Sequence, residues 1–372
     1  MALRAAVRDS LRAVLTRAVA DSAFPGAFAV VGNSHEVLGR YGAGHLDWRR
    51  SPVPDANTMW DLASLTKVIG TTTAIMQLWQ RHLIDLDAPV QRYVPSFTGR
   101  EKERVTIRAL LTHSSGLPGW RPLYLEATSR NAILALVDTT PLDTVPGTRM
   151  VYSDLGAIVL GQAITRITHE ALDRYLAENV FNPLRMTSTM FRPPCRLLAR
   201  IAPTEQDPWR GHQLRGQVHD ENAFALGGVS SHAGLFSTGA DLVRFAQMYL
   251  NGGAIDGHRI VTRTAIDTFT AVQNPSLSNR ALGWEVTTGR NSGGHHLSPG
   301  AFGHTGFTGT SIWIDPTRNL FVVLLTNRVN PTRENHKIAG VRIALADAVV
   351  GAVDAARSDR QPASGSPSSG SP

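Results

Sequence analysis

A chain of 372 residues with 42% hydrophobic and 18% charged side chains is long enough to bury one extensive core or two interlocked lobes. Its formal charge of +7 is carried almost wholly by scattered arginines, with no basic run interleaved with aromatics, which argues against a nucleic-acid-binding design. No run of about twenty apolar residues occurs, so no membrane span is expected, and the lone Cys195, expected to fill space in a loop, excludes an intramolecular disulfide.

In chain order, residues 1–20 read as a helix punctuated by Arg4, Arg8, Arg12 and Arg17, without the pattern of a secretory signal. A hairpin of 26–32 and 36–42 follows. From Ser64 an apolar stripe at helical spacing, through Val68, Ile69, Ala74, Ile75, Leu78 and Leu83, opens a mostly helical stretch that continues to about Val180. Ser64-Leu65-Thr66-Lys67 stands at its start, where positions three apart share a face. Lys67 is one of three lysines, with Lys102 and Lys337, in an arginine-rich chain. Lysine, unlike arginine, can act as a base. Among apolar neighbours Lys67 is expected to lose proton affinity and take the Ser64 proton, while the helix N-terminus favours negative charge on the oxygen.

Tyr152-Ser153-Asp154 follows the turn Val145-Pro146-Gly147-Thr148 and opens the apolar stretch 155–167. The phenol would sit at a cleft rim and shuttle protons beside a cationic lysine; the plain alternative is a capping Ser153 or Asp154 with Tyr152 packed as an aromatic. The region with His212, His219, Asp220, Glu221 and His232 lacks metal-ligand spacing, so neither metal nor cofactor is expected. Residues 237–241 read as a cap before a helix at 242–250. Strands return at 282–287, 303–314 and 320–327, with a hairpin turn at 316–319. In Phe302-Gly303-His304-Thr305-Gly306-Phe307, glycines would let a substrate backbone approach a sheet edge whose free N–H groups hold an oxyanion. A closing helix is expected over 334–356, then a Ser/Gly/Pro tail with too little apolar surface to fold.

Taken together and in this order, SxxK, Tyr-Ser-Asp and His-Thr-Gly resemble the penicillin-recognising serine hydrolases, in particular the branch of class C β-lactamases, D-alanyl carboxypeptidases and related esterases; S-x-x-K is a known signature of that group. The likeness runs from about Phe24 to Ala356 and includes Leu110–Pro118, which resembles the loop after the nucleophile helix. It implies an α+β, β-lactamase/transpeptidase-like fold. An antiparallel sheet of about five strands would be flanked by N- and C-terminal helices, with a mostly helical lobe inserted. The expected domains are an α/β lobe from 1–60 and 240–357, a helical lobe from 61–239 carrying the nucleophile, and a disordered tail at 358–372.

The resemblance also implies Ser64 as acylated nucleophile, Lys67 as its base and Tyr152 as second proton-transfer group. Asp154, His304, Thr305, Gly306 and Phe307 would bind substrate, with the Ser64 and Phe307 N–H groups as oxyanion hole. Residues 218–223 and 232–238 resemble a penicillin-binding-protein-like subgroup without an assigned chemical role. Two departures bear on the substrate. His304 stands where β-lactamases usually carry lysine, and Asp154 where many relatives carry asparagine, which shifts the expectation toward an esterase or D-Ala-type peptidase with weak β-lactamase activity. The alternative is a degenerate ligand-binding module of the same fold. The expected partner is a small molecule or peptide with a reactive carbonyl; no nucleic acid, membrane span or obligate protein partner is inferred, and the compartment is left open.

Overall fold

The computed structural model describes residues 2–49, 51–289 and 291–358. Helix α1 (Ala2–Ala20) leads into the hairpin β1 (Gly26–Gly32) and β2 (Val37–Gly44). Strand β3 (Met59–Asp61) ends just before Ser64, after which a π-helical stretch, Lys67–Thr72, runs into α2 (Thr73–Gln80). Helix α3 (Asp154–Thr168), strands β4 (Met190–Phe191) and β5 (Leu235–Thr238), and helix α4 (Gly239–Leu250) follow. The chain closes with β6 (Glu285–Val286), β7 (Phe302–Thr305), β8 (Ser311–Asp315), β9 (Leu320–Thr326) and α5 (Ile338–Ser358).

The main sheet has the order β6-β7-β8-β9-β1-β2, antiparallel throughout, so the first strand of the chain pairs with the last (Ala27 with Thr326, Gly32 with Phe321). Every residue of β1 and β9 is buried. Their unbroken apolar runs follow from layers on both faces. Alternate side chains divide between two cores: Ala29, Val31, Val322 and Leu324 meet Leu11 and Leu15 of α1 and Val349 of α5. Phe28, Val30, Val323 and Leu325 face the core that contains Leu242 and Phe245 of α4 and Val68 and Ile69 of the segment that follows Ser64. The segment bearing Ser64 is thus seated against the inner face of the sheet. A small sheet, β3-β5-β4, fixes where that segment begins.

Three expectations change. The sheet has six strands because the stretch 303–314 is not one strand; a turn closed by Gly306 N donating to Thr310 O at 2.8 Å divides it into β7 and β8. The long helical stretch is divided into short pieces, among them Ile107–Leu111, Leu123–Glu126 and Arg130–Thr139, at whose ends prolines such as Pro122 and Pro141 stand. Cys195 is exposed rather than space-filling. The expected tail from residue 359 onward lies outside the described residues. No helix among the described residues is long and apolar enough to cross a membrane.

Candidate active site

Ser64 follows Ala63, whose φ of +46° puts a non-glycine residue in the left-handed region. Such strain persists only where neighbours enforce it. Here the buried Asp61 carboxylate accepts from Ala63 N at 2.8 Å and from His219 N at 2.7 Å, and Leu62 N donates to Leu235 O at 2.9 Å. Burial raises the Asp61 proton affinity despite the N–H groups that favour its charge.

Lys67 Nζ lies 3.1 Å from Ser64 Oγ, donates to His232 O at 2.9 Å and meets Asp154 Oδ1 at 2.7 Å, off the axis of a well-formed hydrogen bond. Burial opposes the ammonium charge, but the Asp154 carboxylate, with Tyr152, outweighs it and raises the Lys67 pKa above that of a free lysine. This corrects the expectation that Lys67 would lose proton affinity among apolar neighbours: a carboxylate reaches it from α3. Asp154, expected to bind substrate, stands against Lys67.

Ser153 caps α3, its Oγ accepting from Gly156 N at 3.2 Å and donating to Pro118 O at 2.7 Å. The plain capping reading therefore holds for Ser153, while Tyr152 beside it faces the cleft. The Tyr152 ring has Lys67 Nζ at 5.0 Å and the Arg280 guanidinium carbon at 5.4 Å from its centroid, with His113 and His304 packed at 4.4 and 5.8 Å. Burial, then the cations Arg280 and Lys67, hold both imidazoles well below the ordinary 6.5, so they are neutral near pH 7. His113 Nδ1 accepts from Ser153 N at 3.1 Å, locking the loop 110–118 onto the Tyr152 turn. His304 Nδ1 donates to Thr305 O at 2.8 Å, and its buried Nε2 has no partner among the described residues.

β6 covers only Phe302 and Gly303 of β7, which leaves His304 and Thr305 on an open edge. Beyond them the turn 306–310 is stitched to the nucleophile segment: Thr308 Oγ1 donates to Asp61 O at 2.7 Å and Thr310 Oγ1 to Leu62 O at 3.0 Å. A Cβ at Gly306 would collide with Thr310 Oγ1 and Leu62 O, so only glycine permits this approach. The backbone N–H groups of Ser64 and Phe307 have no hydrogen-bond partner among the described residues. They flank the same cavity of about 350 Å³, whose walls include Ser64, Tyr152, Arg280, His304, Phe307 and Arg342. A larger groove of about 740 Å³ between α1 and α5 brings together mainly small apolar side chains and no comparable cluster. Chemistry, not size, selects the smaller one.

Pattern reading missed Arg280 and Arg342. Arg280 makes no ion pair, and its buried Nε and Nη1 have no hydrogen-bond partner among the described residues. The only signal for either was the general excess of arginine. The two unassigned stretches meet in space: His232 Nε2 lies 2.8 Å from Asp220 Oδ1, His219 Nε2 lies 2.8 Å from Glu205, and Arg333 bridges Glu205 and Glu221 at 2.6 and 2.7 Å. Asn222 ties the loop before Tyr124 through Arg121 O at 2.8 Å and Tyr124 N at 3.0 Å. No three His, Cys, Asp or Glu side chains among the described residues are grouped to hold a metal.

A half-buried serine on a buried lysine beside a tyrosine, with two N–H groups unpaired among the described residues and facing one cavity, fits the class of serine hydrolases. The beta-lactamase family profile matches residues 11–347, and the chain belongs to that family. A Salmonella typhi protein with the provisional name D-alanyl-D-alanine carboxypeptidase is 34% identical over 313 residues, covering 76% of this chain and 72% of that protein. Among solved structures, EstCE1, "a hydrolase with promiscuous acyltransferase activity", superposes with a TM-score of 0.77 at 20% identity over 94% of this chain and 99% of its own. The octameric penicillin-binding protein homologue from Pyrococcus abyssi gives 0.69 at 21% identity, over 89% and 75%. These similarities in structure support the β-lactamase/transpeptidase-like fold.

Proposed function

We propose that the chain hydrolyses an amide or ester through an acyl-enzyme on Ser64, and that its substrate carries a carboxylate beside the scissile bond, as a peptide ending in D-alanine does. Because the Lys67 ammonium has no site for another proton, the base role passes to Tyr152. Lys67 Nζ stands 5.0 Å from the centroid of its ring. Tyr152 acts as its phenolate: it takes the Ser64 proton as Oγ attacks the carbonyl, the Ser64 and Phe307 N–H groups hold the oxyanion, and the phenol then gives that proton to the leaving group, which returns Tyr152 to the phenolate. Water releases the acyl group by the same steps. Asp154 acts through Lys67, keeping it charged.

The observation that carries the substrate class is Arg280. Arg280 lines the cavity that contains Ser64, and its enclosed Nε and Nη1 have no partner among the described residues; a half-buried guanidinium with enclosed donors left unpaired is costly unless a ligand supplies a carboxylate. It provides the cation that neutral His304 does not. The carboxypeptidase name of the Salmonella relative supports the same reading. An esterase acting on neutral acyl groups is the second reading, favoured by the neutral His304 itself.

The deciding experiment incubates the protein with a p-nitrophenyl ester, a fluorescent penicillin and a peptide ending in D-Ala-D-Ala, and locates adducts by peptide mass spectrometry. The proposal expects an adduct on Ser64, none in Ser64→Ala, and release of D-alanine. An adduct on another residue, or none in folded protein, overturns the mechanism. Ester turnover without D-alanine release selects the esterase.

A further inference from the structure

Arg342, in the second turn of α5, makes no ion pair among the described residues. Its Nη2 donates to Gly306 O at 2.7 Å and Thr310 O at 2.8 Å, while its buried Nε has no partner. Burial, reinforced by Arg328 nearby, lowers its proton affinity to about 10. A cation held in this setting for two backbone carbonyls is an expensive arrangement, and a loop clamp alone would not require a charge. The carbonyl of Gly306 belongs to the same peptide group as the N–H of Phe307. Donation to an amide oxygen draws electron density through the amide resonance, leaving its N–H more positive and a stronger donor. A charged donor does so more strongly than a neutral one. Arg328 Nε treats the next peptide in the same way, donating to Phe307 O at 2.7 Å.

We propose that Arg342 is a positioning residue of the oxyanion hole: its guanidinium fixes and polarises the Gly306–Phe307 peptide so that the Phe307 N–H binds the developing oxyanion more strongly. This rests on the reading that Ser64 is acylated. It assigns Arg342 to the transition state of every substrate, in contrast to Arg280, which serves only substrates with a carboxylate.

The test uses the full chain as wild type, Arg342→Lys and Arg342→Met. Kinetics are run on a neutral p-nitrophenyl ester, and difference infrared spectra on the acyl-enzyme trapped with a slowly released β-lactam carrying a 13C-labelled carbonyl. Arg342→Met is expected to lower kcat by about ten-fold or more, a fraction of the effect of deleting an oxyanion donor, with KM changed by less than about two-fold. Its acyl carbonyl band moves to higher wavenumber, as weaker hydrogen bonding requires, and Arg342→Lys falls between. If Arg342→Met does not fold, the lysine variant, which keeps the charge but replaces the planar Nη2 group that reaches both carbonyls with a shorter ammonium, carries the comparison. A band that does not move in a folded variant overturns the proposal, as does a loss confined to KM for the ester with kcat unchanged. No acylated serine in the wild type would instead take down the acyl-enzyme reading and this role with it.

Discussion

Replacing Arg280 by methionine should make the protein more stable and less able to use a carboxylate substrate. The side chain brings two buried nitrogens, Nε and Nη1, without partners among the described residues. Leaving such donors unsatisfied costs about 1–3 kcal/mol, more where the group is charged. Against this stands the contact with the Tyr152 ring at 5.4 Å, which contributes about 0.5–2 kcal/mol. Methionine keeps much of the apolar volume, so Arg280→Met should gain about 1–3 kcal/mol and raise Tm by about 1–4 °C. The lost charge-assisted contact, worth about 1.5–3 kcal/mol, should lower kcat/KM for a peptide with a free terminal carboxylate by about 10–150-fold. The methyl ester of the same peptide should change by less than about three-fold. Denaturant unfolding and paired kinetics on the two substrates measure both effects. A variant that loses stability, or one that slows both substrates equally, would show that Arg280 is paired or structural and would refute the carboxylate anchor.

Further expectations concern the charges and the turn. His113 and His304 are held well below the 6.5 of an unfolded imidazole, so below that pH the unfolded state binds more protons and stability falls as pH drops. Together they should cost about 3 kcal/mol per pH unit. Denaturant midpoints at about pH 5.5 and about pH 7.5 would show it, His113→Asn should about halve the slope, and a wild-type profile flat over this range contradicts the neutral histidines. Asp154→Asn removes the countercharge of Lys67, so burial then dominates and the ammonium loses its proton at lower pH; a partly exposed partner suggests a stability loss of about 1–3 kcal/mol. The alkaline limb of kcat/KM should move to lower pH, and an unmoved limb would remove Asp154 from that role. Gly306→Ala must push the turn away from Leu62 and Thr310. Ester kcat should drop by about 100-fold with the fold retained by circular dichroism, and near-normal turnover would separate that turn from the oxyanion.

The parts of the site that were legible in sequence are those whose geometry is local. Ser64 and Lys67 meet because three residues of helical chain bring them together, and Tyr152 faces the cleft because Ser153 caps the helix behind it. The proton state of Lys67 was not legible, since it depends on a carboxylate that arrives from another helix. Arg280 and Arg342 carry no spacing signal, because their positions follow from strand order and from the angle at which α5 crosses the sheet. In the sheet, unbroken apolar runs located β1 and β9, but Gly306–Thr310 looked like strand. Its turn is fixed by hydrogen bonds from Thr308 and Thr310 to carbonyls before Ser64, and no local propensity encodes them.

Those two threonine bonds join the segment just before Ser64 to a turn near the far end of the chain, and β1 cannot take its central place until β9 exists to pair with it. The proposed oxyanion site is therefore a late product of folding, completed only when the last strands are made and closed onto the first. A ribosome-bound chain arrested before β9 should carry Ser64 and Lys67 yet leave any ester intact. The onset of hydrolysis during refolding then serves as a clock for closure of the sheet, one that secondary-structure signals alone would miss.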